Sequence, residues 1–201
     1  MEILEQAFYL KDGITLAKEL LGQILVRQED DKTYAFRIVE TEAYMGITDK
    51  GAHVFGDKKT ARTAPLYEIG GTTYIYLIYG MYHCLNISAG EKGVPYCVLI
   101  RSVEPMDELA VAYARQHRNI KSKKLADLTN GPGKLCKALH IDRSLNDLNV
   151  SKKGALWIAK GDKITDIVSA KRINIPYAKE DADKPWRFYI KDHPFVSIIE
   201  K

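Results

Sequence analysis

Apolar and polar positions alternate along one long segment in the first quarter of the chain, over residues 33–44. Every second position at its start is apolar, at Tyr34, Phe36 and Ile38, which predicts a β-strand with one apolar face. A shorter apolar run precedes it over residues 24–27, and polar residues 29–32 separate the two runs. The pattern therefore predicts two consecutive strands joined by a turn.

Other β-branched and aromatic runs predict the rest of a sheet, with strands over residues 72–79, 83–88, 96–103, 156–159, 167–175 and 186–190. Helices are predicted over residues 15–21, 106–116 and 134–140. The first helix has a candidate cap at Thr15 and ends before Gly22. Hairpins dominate and no β-α-β repeat is present, so the sequence predicts an α+β fold with a mainly antiparallel sheet.

Length and composition fit one globular domain, because the 201 residues are 46% hydrophobic and 28% charged. We therefore expect residues 1–201 to form a single domain. No segment approaches the roughly 18 to 20 apolar residues that span a bilayer, and the N-terminal segment has early acids instead of the basic start of a signal peptide. These features predict an intracellular protein. The net charge of +4 permits an anionic partner without establishing one.

The cysteines predict free thiols, since Cys84, Cys97 and Cys136 are widely spaced and form no CxxC pair. Cys136 and His140 stand four residues apart on a predicted helix and could share a metal ion. No second ligand pair follows at finger-like spacing, so a core cysteine beside a surface histidine is the favoured interpretation.

Two acids extend the apolar row of the long strand. If the alternation continues, Glu40, Glu42 and Tyr44 lie on the same face as Phe36 and Ile38. A carboxylate on such a face is poorly solvated, which suits a general base. In the alternative interpretation the strand leaves the core at Val39, and both acids face water.

Arg101 presents the same question on another strand. It shares strand parity with Cys97, Leu99 and Val103, so a guanidinium on that face needs a carboxylate or a phosphate as partner. A structural ion pair with Glu104 or another acid is the alternative. Together with Glu42, this arginine indicates a polar site that the two side chains line.

A predicted hairpin carries four tyrosines, at Tyr74, Tyr76, Tyr79 and Tyr82, around a turn at Gly80. Buried tyrosines need a partner for the hydroxyl group, whereas exposed rings stack on bases or wedge between base steps. Tyrosine is also common in strands for packing reasons alone. The hairpin is therefore a candidate nucleic-acid contact, with simple packing as the alternative.

Six ordered motifs together are more specific than any one of them. They are RIVETEAYMG (37–46), the pair Ala52-His53, YIYLIYGMYHCLNIS (74–88), VLIRSVEP (98–105), NGPGKLCKAL (130–139) and KPWRFYI (184–190). This series resembles the alkyladenine (3-methyladenine) DNA glycosylase family over nearly the whole chain. The resemblance implies a curved, mainly antiparallel sheet of open-barrel type with flanking helices and a protruding β-hairpin. It also implies that Tyr79 takes the space of an extruded nucleotide, with Met81 beside it in the DNA minor groove.

The resemblance further implies the residues that carry the reaction. Glu42 matches the general base that activates a water for attack on C1′ of the sugar. Arg101 matches the arginine that helps to hold this water, and the backbone carbonyl at about Ile173 completes its binding site. Alkylation at N3 or N7 already makes the base a good leaving group, so a placed water and an anionic carboxylate are the main requirements.

Contacts to the flipped base and to DNA are implied in the same way. Tyr44, His53 and Tyr76 match the residues that stack around the base. A backbone amide between Gly51 and His53 matches the group that reads the base edge. The remaining matches are Asn86, which obstructs the amine of normal guanine, and two phosphate contacts, Thr60 and Lys134.

The expected enzyme is thus a monofunctional DNA glycosylase that acts on alkylated or deaminated purines in damaged double-stranded DNA as a monomer. No lysine lies in the matched catalytic motif to form a Schiff base, so strand cleavage is not expected. No cofactor and no metal are expected. One alternative is a non-catalytic nucleic-acid-binding domain, and another is a metal hydrolase that uses Glu40, Glu42 and His53.

Overall fold

A computed structural model describes residues 1–199, so residues 200 and 201 of the predicted 1–201 domain lie outside the described part. The α-helices are α1 Gly13–Glu19, α2 Glu108–His117 and α3 Pro132–Ala138. The strands are β1 Ile24–Glu29, β2 Lys32–Tyr44, β3 Thr73–Ile78, β4 Tyr82–Ala89, β5 Tyr96–Pro105, β6 Leu156–Ala159, β7 Ile167–Ala170 and β8 Arg187–Ile190. The predicted α+β class is confirmed.

One eight-stranded antiparallel sheet runs through the molecule in the order β3-β4-β5-β2-β1-β6, and β8 joins it by pairing with both β2 and β7. The sheet does not close into a barrel. Strand β2 pairs with β5 and β8 around Glu42, which faces Leu99 on one side and Arg187 on the other. Because β2 has a paired strand on each side at this position, Glu42 is removed from water.

The expected parity of β2 is wrong, because the register against β5 shifts twice, between Ile38 and Glu40 and again between Glu40 and Thr41. Such β-bulges turn a strand locally and re-aim its side chains. Ile38 and Ala43 therefore both lie in the main core, although they are an odd number of positions apart, five, along the strand. Glu40 and Glu42 point away from the core face that holds Phe36 and Ile38.

The same register shifts change which side chains of β5 share a face, so the parity expected for this strand does not hold along its whole length. Val98, Ile100 and Val103 lie in the main core, so Val103 does not share the face of Cys97 and Leu99. In the paired register Ser102 faces Glu40 and Ile100 faces Thr41, which leaves Arg101 between them as the extra residue. Arg101 keeps the cleft face that Leu99 lines, and the bulge moves Val103 to the core face.

Helices α1, α2 and α3 supply the apolar side chains that cover one face of the sheet. The cap of α1 is Asp12 and not Thr15, since the Asp12 carboxylate accepts from the amides of Ile14 and Thr15 at 2.9 and 3.0 Å. The expected strand over 167–175 ends at Ala170. None of the helices in residues 1–199 has the length and apolar character needed to span a membrane.

Candidate active site

A cleft of about 680 Å³ opens between the β3–β4 hairpin, the start of α3 and the segment that follows β7. Glu42, Arg101 and Ile173 all line it, so the three residues expected to carry the reaction lie together. Tyr44, His53, Tyr76, Tyr79 and Lys134 line it as well. The fold thus brings side chains from distant parts of the chain to one cavity.

Glu42 is fully buried at the floor of this cleft and has a partner for each oxygen. Its Oε1 accepts from the backbone N–H of Ile173 at 2.7 Å and lies 3.2 Å from Nη1 of Arg101. Its Oε2 accepts from the Tyr44 hydroxyl at 2.9 Å. Three donors around one carboxylate fix its orientation at the floor of the cleft.

The donors around Glu42 keep their protons. Burial raises the pKa of the Tyr44 hydroxyl well above its usual value, and the negative charge of Glu42 raises it further. Burial alone would lower the pKa of the Arg101 guanidinium, but the carboxylates of Glu42 and Glu40 outweigh this and raise it. The floor therefore holds a carboxylate between a protonated phenol and a permanent cation.

Glu40 has a different environment from Glu42, although both are fully buried. Its Oε1 accepts from Nε of Arg101 at 3.0 Å and from Nη1 of Arg187 at 3.1 Å, and its Oε2 accepts from the Ser197 amide at 2.7 Å. It does not line the cleft. Arg101 thus bridges a structural carboxylate and a cleft-facing one, and the alternative of water-exposed acids is wrong.

The expected alternative partner of Arg101, Glu104, is engaged elsewhere. Its carboxylate lies 3.5 Å from Arg37 and 3.4 Å from His193. The structural ion pair that the sequence left open is therefore made with Glu40, while the second contact of Arg101 faces the cleft.

A small cavity of about 30 Å³ adjoins the cleft and is walled by aromatic rings. The His53 and Tyr76 rings lie 4.6 Å apart at an angle of 69°, and His53 Nδ1 lies 2.8 Å from the Tyr74 hydroxyl. Asn86 lies on the opposite wall, where its amide donates to the Tyr74 carbonyl at 3.1 Å. These π-faces and one fixed polar group are suited to a flat heteroaromatic ring.

The rings of this cavity are uncharged at neutral pH. His53 is partly exposed at the cleft, but packing on its neighbours lowers its pKa to about 4, and the charge of Arg62 adds to this effect. Burial likewise raises the pKa of the Tyr76 hydroxyl far above its usual value. A neutral imidazole does not repel a cationic ring placed beside it.

A backbone amide between Gly51 and His53 was expected to contact the edge of the base, and hydrogen bonds within this loop leave one of the three amides available. The Gly51 N–H donates to Asp49 Oδ1 at 2.8 Å, and the Ala52 N–H donates to the Asp49 carbonyl at 2.9 Å. Within residues 1–199 this leaves the His53 N–H as the amide of the three without a partner. The expected amide cannot be that of Gly51 in this arrangement.

Arg172 and Asp49 anchor this loop and were not found from the sequence. Both side chains are fully buried, and two contacts of 2.6 and 2.8 Å join the guanidinium to the carboxylate. A Cβ at position 51 would lie 3.0 Å from Arg172 Nη2, so a glycine there allows the close approach. Arg172 stands in a Lys-Arg pair typical of a solvated surface, and nothing in that pattern signals burial.

Tyr79 and Met81 form the exposed tip of the hairpin, with 75% and 67% of their surfaces accessible. Tyr79 and Gly80 have φ values of 53° and 68°, and the Met81 amide donates to the Ile78 carbonyl at 3.2 Å. These are features of a type I′ hairpin turn. The turn projects two large apolar side chains beyond the protein surface.

The two expected phosphate contacts differ in their placement. Lys134 lines the cleft at the first turn of α3, and its Nζ donates to Asn130 at 2.7 Å. Thr60 does not line either cavity, and its hydroxyl lies 3.1 Å from that of Thr63. Arg62 and Arg118, which the sequence reasoning missed, contribute two further cations to the cleft.

The groups expected for metal binding do not assemble as the alternatives required. Among residues 1–199, the group of three possible ligands within 4.8 Å of one another is Glu29, His117 and His140, away from the cleft. Cys136 is buried and does not belong to this group, although it lines the same surface pocket as His117 and His140. The His117 and His140 rings stack at 4.5 Å and 16°. Nitrogens of both rings lie near the Glu29 carboxylate, at 3.7 Å for His117 and 2.9 Å for His140, so this group is a histidine–carboxylate cluster outside the cleft.

Comparisons with known proteins identify the family of this chain. The model of the methylpurine-DNA glycosylase family matches residues 7–194. A protein of Clostridioides difficile (strain 630) is 50% identical over 203 residues, covering 94% of this chain and 100% of that protein. Proteins of Natranaerobius thermophilus and Clostridium tetani are 47% and 46% identical, covering 97% and 96% of this chain and 98% of each relative. All three are named "putative 3-methyladenine DNA glycosylase".

Proposed function

The chain belongs to the methylpurine-DNA glycosylase family, and from this we propose that it is a monofunctional DNA glycosylase for alkylated or deaminated purines. It turns the damaged nucleotide out of duplex DNA and hydrolyses its N-glycosidic bond, leaving an abasic site. The observation that carries the proposal is the buried Glu42 carboxylate at the floor of a cleft between an aromatic pocket and an exposed tyrosine tip.

In the proposed reaction a water held by Glu42 attacks C1′ of the deoxyribose. The bond from C1′ to the purine nitrogen breaks, its electron pair leaves with the base, and the water proton passes to the Glu42 carboxylate. The Ile173 amide and Arg101 hold that carboxylate in place at 2.7 and 3.2 Å. The backbone carbonyl of Ile173 and the Arg101 guanidinium are the proposed additional contacts of the water.

Glu42 also has an electrostatic role in this proposal. As the bond to the base breaks, positive charge develops on the sugar, and a pre-oriented carboxylate in a water-poor site stabilises that charge. Two of its partners, Tyr44 and Arg101, are carried by the paired strands β2 and β5, which orient them before a substrate binds.

The aromatic cavity is the proposed binding site of the flipped base. Tyr44, His53 and Tyr76 offer π-faces to an electron-poor alkylated purine. The free His53 N–H is the proposed contact to the base edge. Asn86, held by the Tyr74 carbonyl, is the proposed obstruction to the amine of normal guanine.

The hairpin tip is the proposed wedge. Flipping costs a few kcal/mol of unstacking and unpairing, and it is required because the bond is inaccessible inside the stack. Tyr79 and Met81 are exposed in a position to fill the space that the nucleotide vacates. Lys134 and Thr60 are the proposed phosphate contacts along the flanking backbone.

The proposed enzyme cleaves no strand and works as a monomer inside the cell, where its DNA substrate is found. A lyase reaction would need an amine positioned to attack C1′. The cleft lysine, Lys134, is held instead by Asn130 at 2.7 Å. The proposed chemistry uses water and protein side chains, without a cofactor.

Base release from methylated duplex DNA tests this proposal. The wild-type protein should release alkylated purines and leave abasic sites that break only after alkali treatment. Glu42→Gln should lower the rate at least 100-fold, the range seen when a key electrostatic group is removed. Glu104→Gln is the matched control, because Glu104 lies outside the cleft. A non-catalytic DNA-binding domain predicts no release even from the wild type.

A further inference from the structure

Two cavities meet at one ring of side chains. Four described residues line both the small aromatic cavity and the large cleft, namely Tyr44, His53, Tyr76 and Tyr177. The first three are the residues proposed to stack around the flipped base. Tyr177 lies outside every motif that predicted the site, yet it completes the same ring.

The size of the small cavity makes this ring important. About 30 Å³ is room for one or two water molecules, so a purine cannot lie wholly within it. A base that enters from the cleft therefore extends across the junction of the two cavities. The side chains at the junction are the ones that it must contact.

Tyr177 is held at this junction through the loop before His53. Its hydroxyl donates to the Gly51 carbonyl at 3.2 Å. The segment that carries it, Pro176–Asp183, consists of two short 3₁₀ turns with a kink at Lys179. It is tied to the same loop by the Lys50 amide, which donates to Asp181 at 2.8 Å. The buried pair of Arg172 and Asp49 fixes the loop from below.

The environment of Tyr177 is that of a cleft residue and not of a core residue. Its surface is 60% accessible. Partial burial raises the pKa of its hydroxyl, and the charge of Arg172 opposes this rise, while Asp49, Glu42 and Tyr79 add to it. A ring with this exposure contributes little to folding, and its place at the junction of the two cavities leaves it accessible to a base that enters from the cleft.

We propose that Tyr177 is a further base-contacting residue that closes the open side of the purine pocket and sets lesion preference. This inference rests on the proposed function. The hydroxyl donates its proton to the Gly51 carbonyl, so towards a further partner the oxygen of this cavity-lining residue can act only as an acceptor. A base edge that carries an N–H group gains a partner there, and an edge without one leaves the oxygen unpaired.

Two lesions differ in whether the base edge carries such an N–H group. 3-Methyladenine keeps its exocyclic amine, whereas in 1,N6-ethenoadenine the same nitrogen is closed into a ring without an N–H. Tyr177→Phe removes the oxygen and keeps the ring. It should lower kcat/KM for 3-methyladenine relative to 1,N6-ethenoadenine by about threefold to tenfold, the range expected for one neutral hydrogen bond.

Tyr177→Ala tests the closing ring separately from the hydroxyl. It should lower kcat/KM for both lesions. Tyr177→Phe keeps the ring, so it should not show the part of this loss that is common to both lesions. Tyr96→Phe is the matched control, because Tyr96 also loses a phenol oxygen but lines neither cavity. The melting temperatures of all variants are measured alongside.

The outcomes distinguish this inference from the proposed function. A wild-type protein that releases neither base overturns the function itself. An active wild type whose lesion ratio is unchanged in Tyr177→Phe overturns the role of the hydroxyl. Wild-type rates for both lesions in Tyr177→Ala overturn the closing role of the ring.

Discussion

The floor of the cleft and the tip of the hairpin are built in opposite ways. At the floor, Glu40 and Glu42 are fully buried, and Arg101 and Arg187 pair with them at 3.0 to 3.2 Å. At the tip, Tyr79 is 75% exposed and projects from a two-residue turn with positive φ values. The floor residues are held in place by contacts within the fold, whereas the tip residues are exposed at its surface.

Because of this difference, we expect the floor to determine mainly stability and the tip to determine mainly DNA recognition. Groups at the floor are desolvated and mutually dependent, so removing one leaves another uncompensated in a medium of low polarity. A side chain at the tip has few protein contacts to lose. We therefore expect floor variants to change folding, and tip variants to change only what happens on DNA.

The largest effect should follow from Glu40→Ala. This substitution leaves Arg101 and Arg187 without their shared carboxylate, and breaking a buried ion pair in this way costs about 3–5 kcal/mol. Urea unfolding should show the loss as a lower midpoint. A loss below about 1 kcal/mol would contradict the structural role of Glu40 and would weaken the contrast with the tip.

Tyr79→Ala should have the next largest effect, and it should appear only with DNA. Flipping loses its wedge, so excision from duplex DNA should fall by roughly tenfold or more, within the few kcal/mol that flipping requires. The unfolding midpoint and the affinity for undamaged DNA should change much less. Equal losses of excision and of undamaged-DNA binding would count against the wedge.

Lys134→Ala probes the wall between the two regions. Each phosphate that a cation neutralises contributes about 0.9 to the slope of log K against log salt concentration. Titrations of duplex DNA at several salt concentrations should therefore give a slope smaller by about one in the variant. An unchanged slope would show that Lys134 remains bound to Asn130 in the complex.

The smallest effect should be a pH dependence of stability that comes from His53. Its pKa in the folded protein is about 4, below the unfolded value near 6.5, so the unfolded chain binds more protons between these values. The free energy of unfolding should fall as pH drops from 6.5 towards 4 and should stay level above that window.

His53→Asn isolates this contribution from those of the other histidines. Partial exposure of His53 keeps its slope well below the limit of about 1.4 kcal/mol per pH unit for one proton. Unfolding curves at pH 7 and pH 5 should therefore differ less for the variant than for the wild type. Identical pH dependence in both proteins would argue that the imidazole is not desolvated.

The strands and helices were largely predictable, because each depends on a local pattern. The predicted strand over 156–159 matches β6, and the hairpin turn at Gly80 lies where β3 and β4 meet. Errors arose where a longer-range contact decided the outcome. Asp12 caps α1 in place of Thr15, and the strand expected over 167–175 ends early so that Arg172 can turn inward to Asp49.

Only part of the candidate site was predictable from the sequence. Glu42, Arg101 and Ile173 do meet in the cleft, but Arg62, Arg118 and Tyr177 also line it and were not predicted. The expected strand parity was wrong for the two acids of β2 and for Val103 in β5. The two register shifts in their pairing turn Glu42 away from the core face. A bulge depends on the partner strand, and so the alternation along one strand cannot reveal it.

By itself, the sequence determined the α+β class, the tyrosine hairpin and the family motifs, because these follow from patterns between neighbouring residues. Only the tertiary structure decided which carboxylate faces the cleft and which arginine is buried beneath the loop before His53. It also brought Tyr177 to the ring of side chains between the two cavities. Those features depend on contacts between residues far apart in the chain, such as Arg172 with Asp49 and Tyr177 with Gly51. The physical reason is that burial and pairing are properties of the packed chain and not of any single segment.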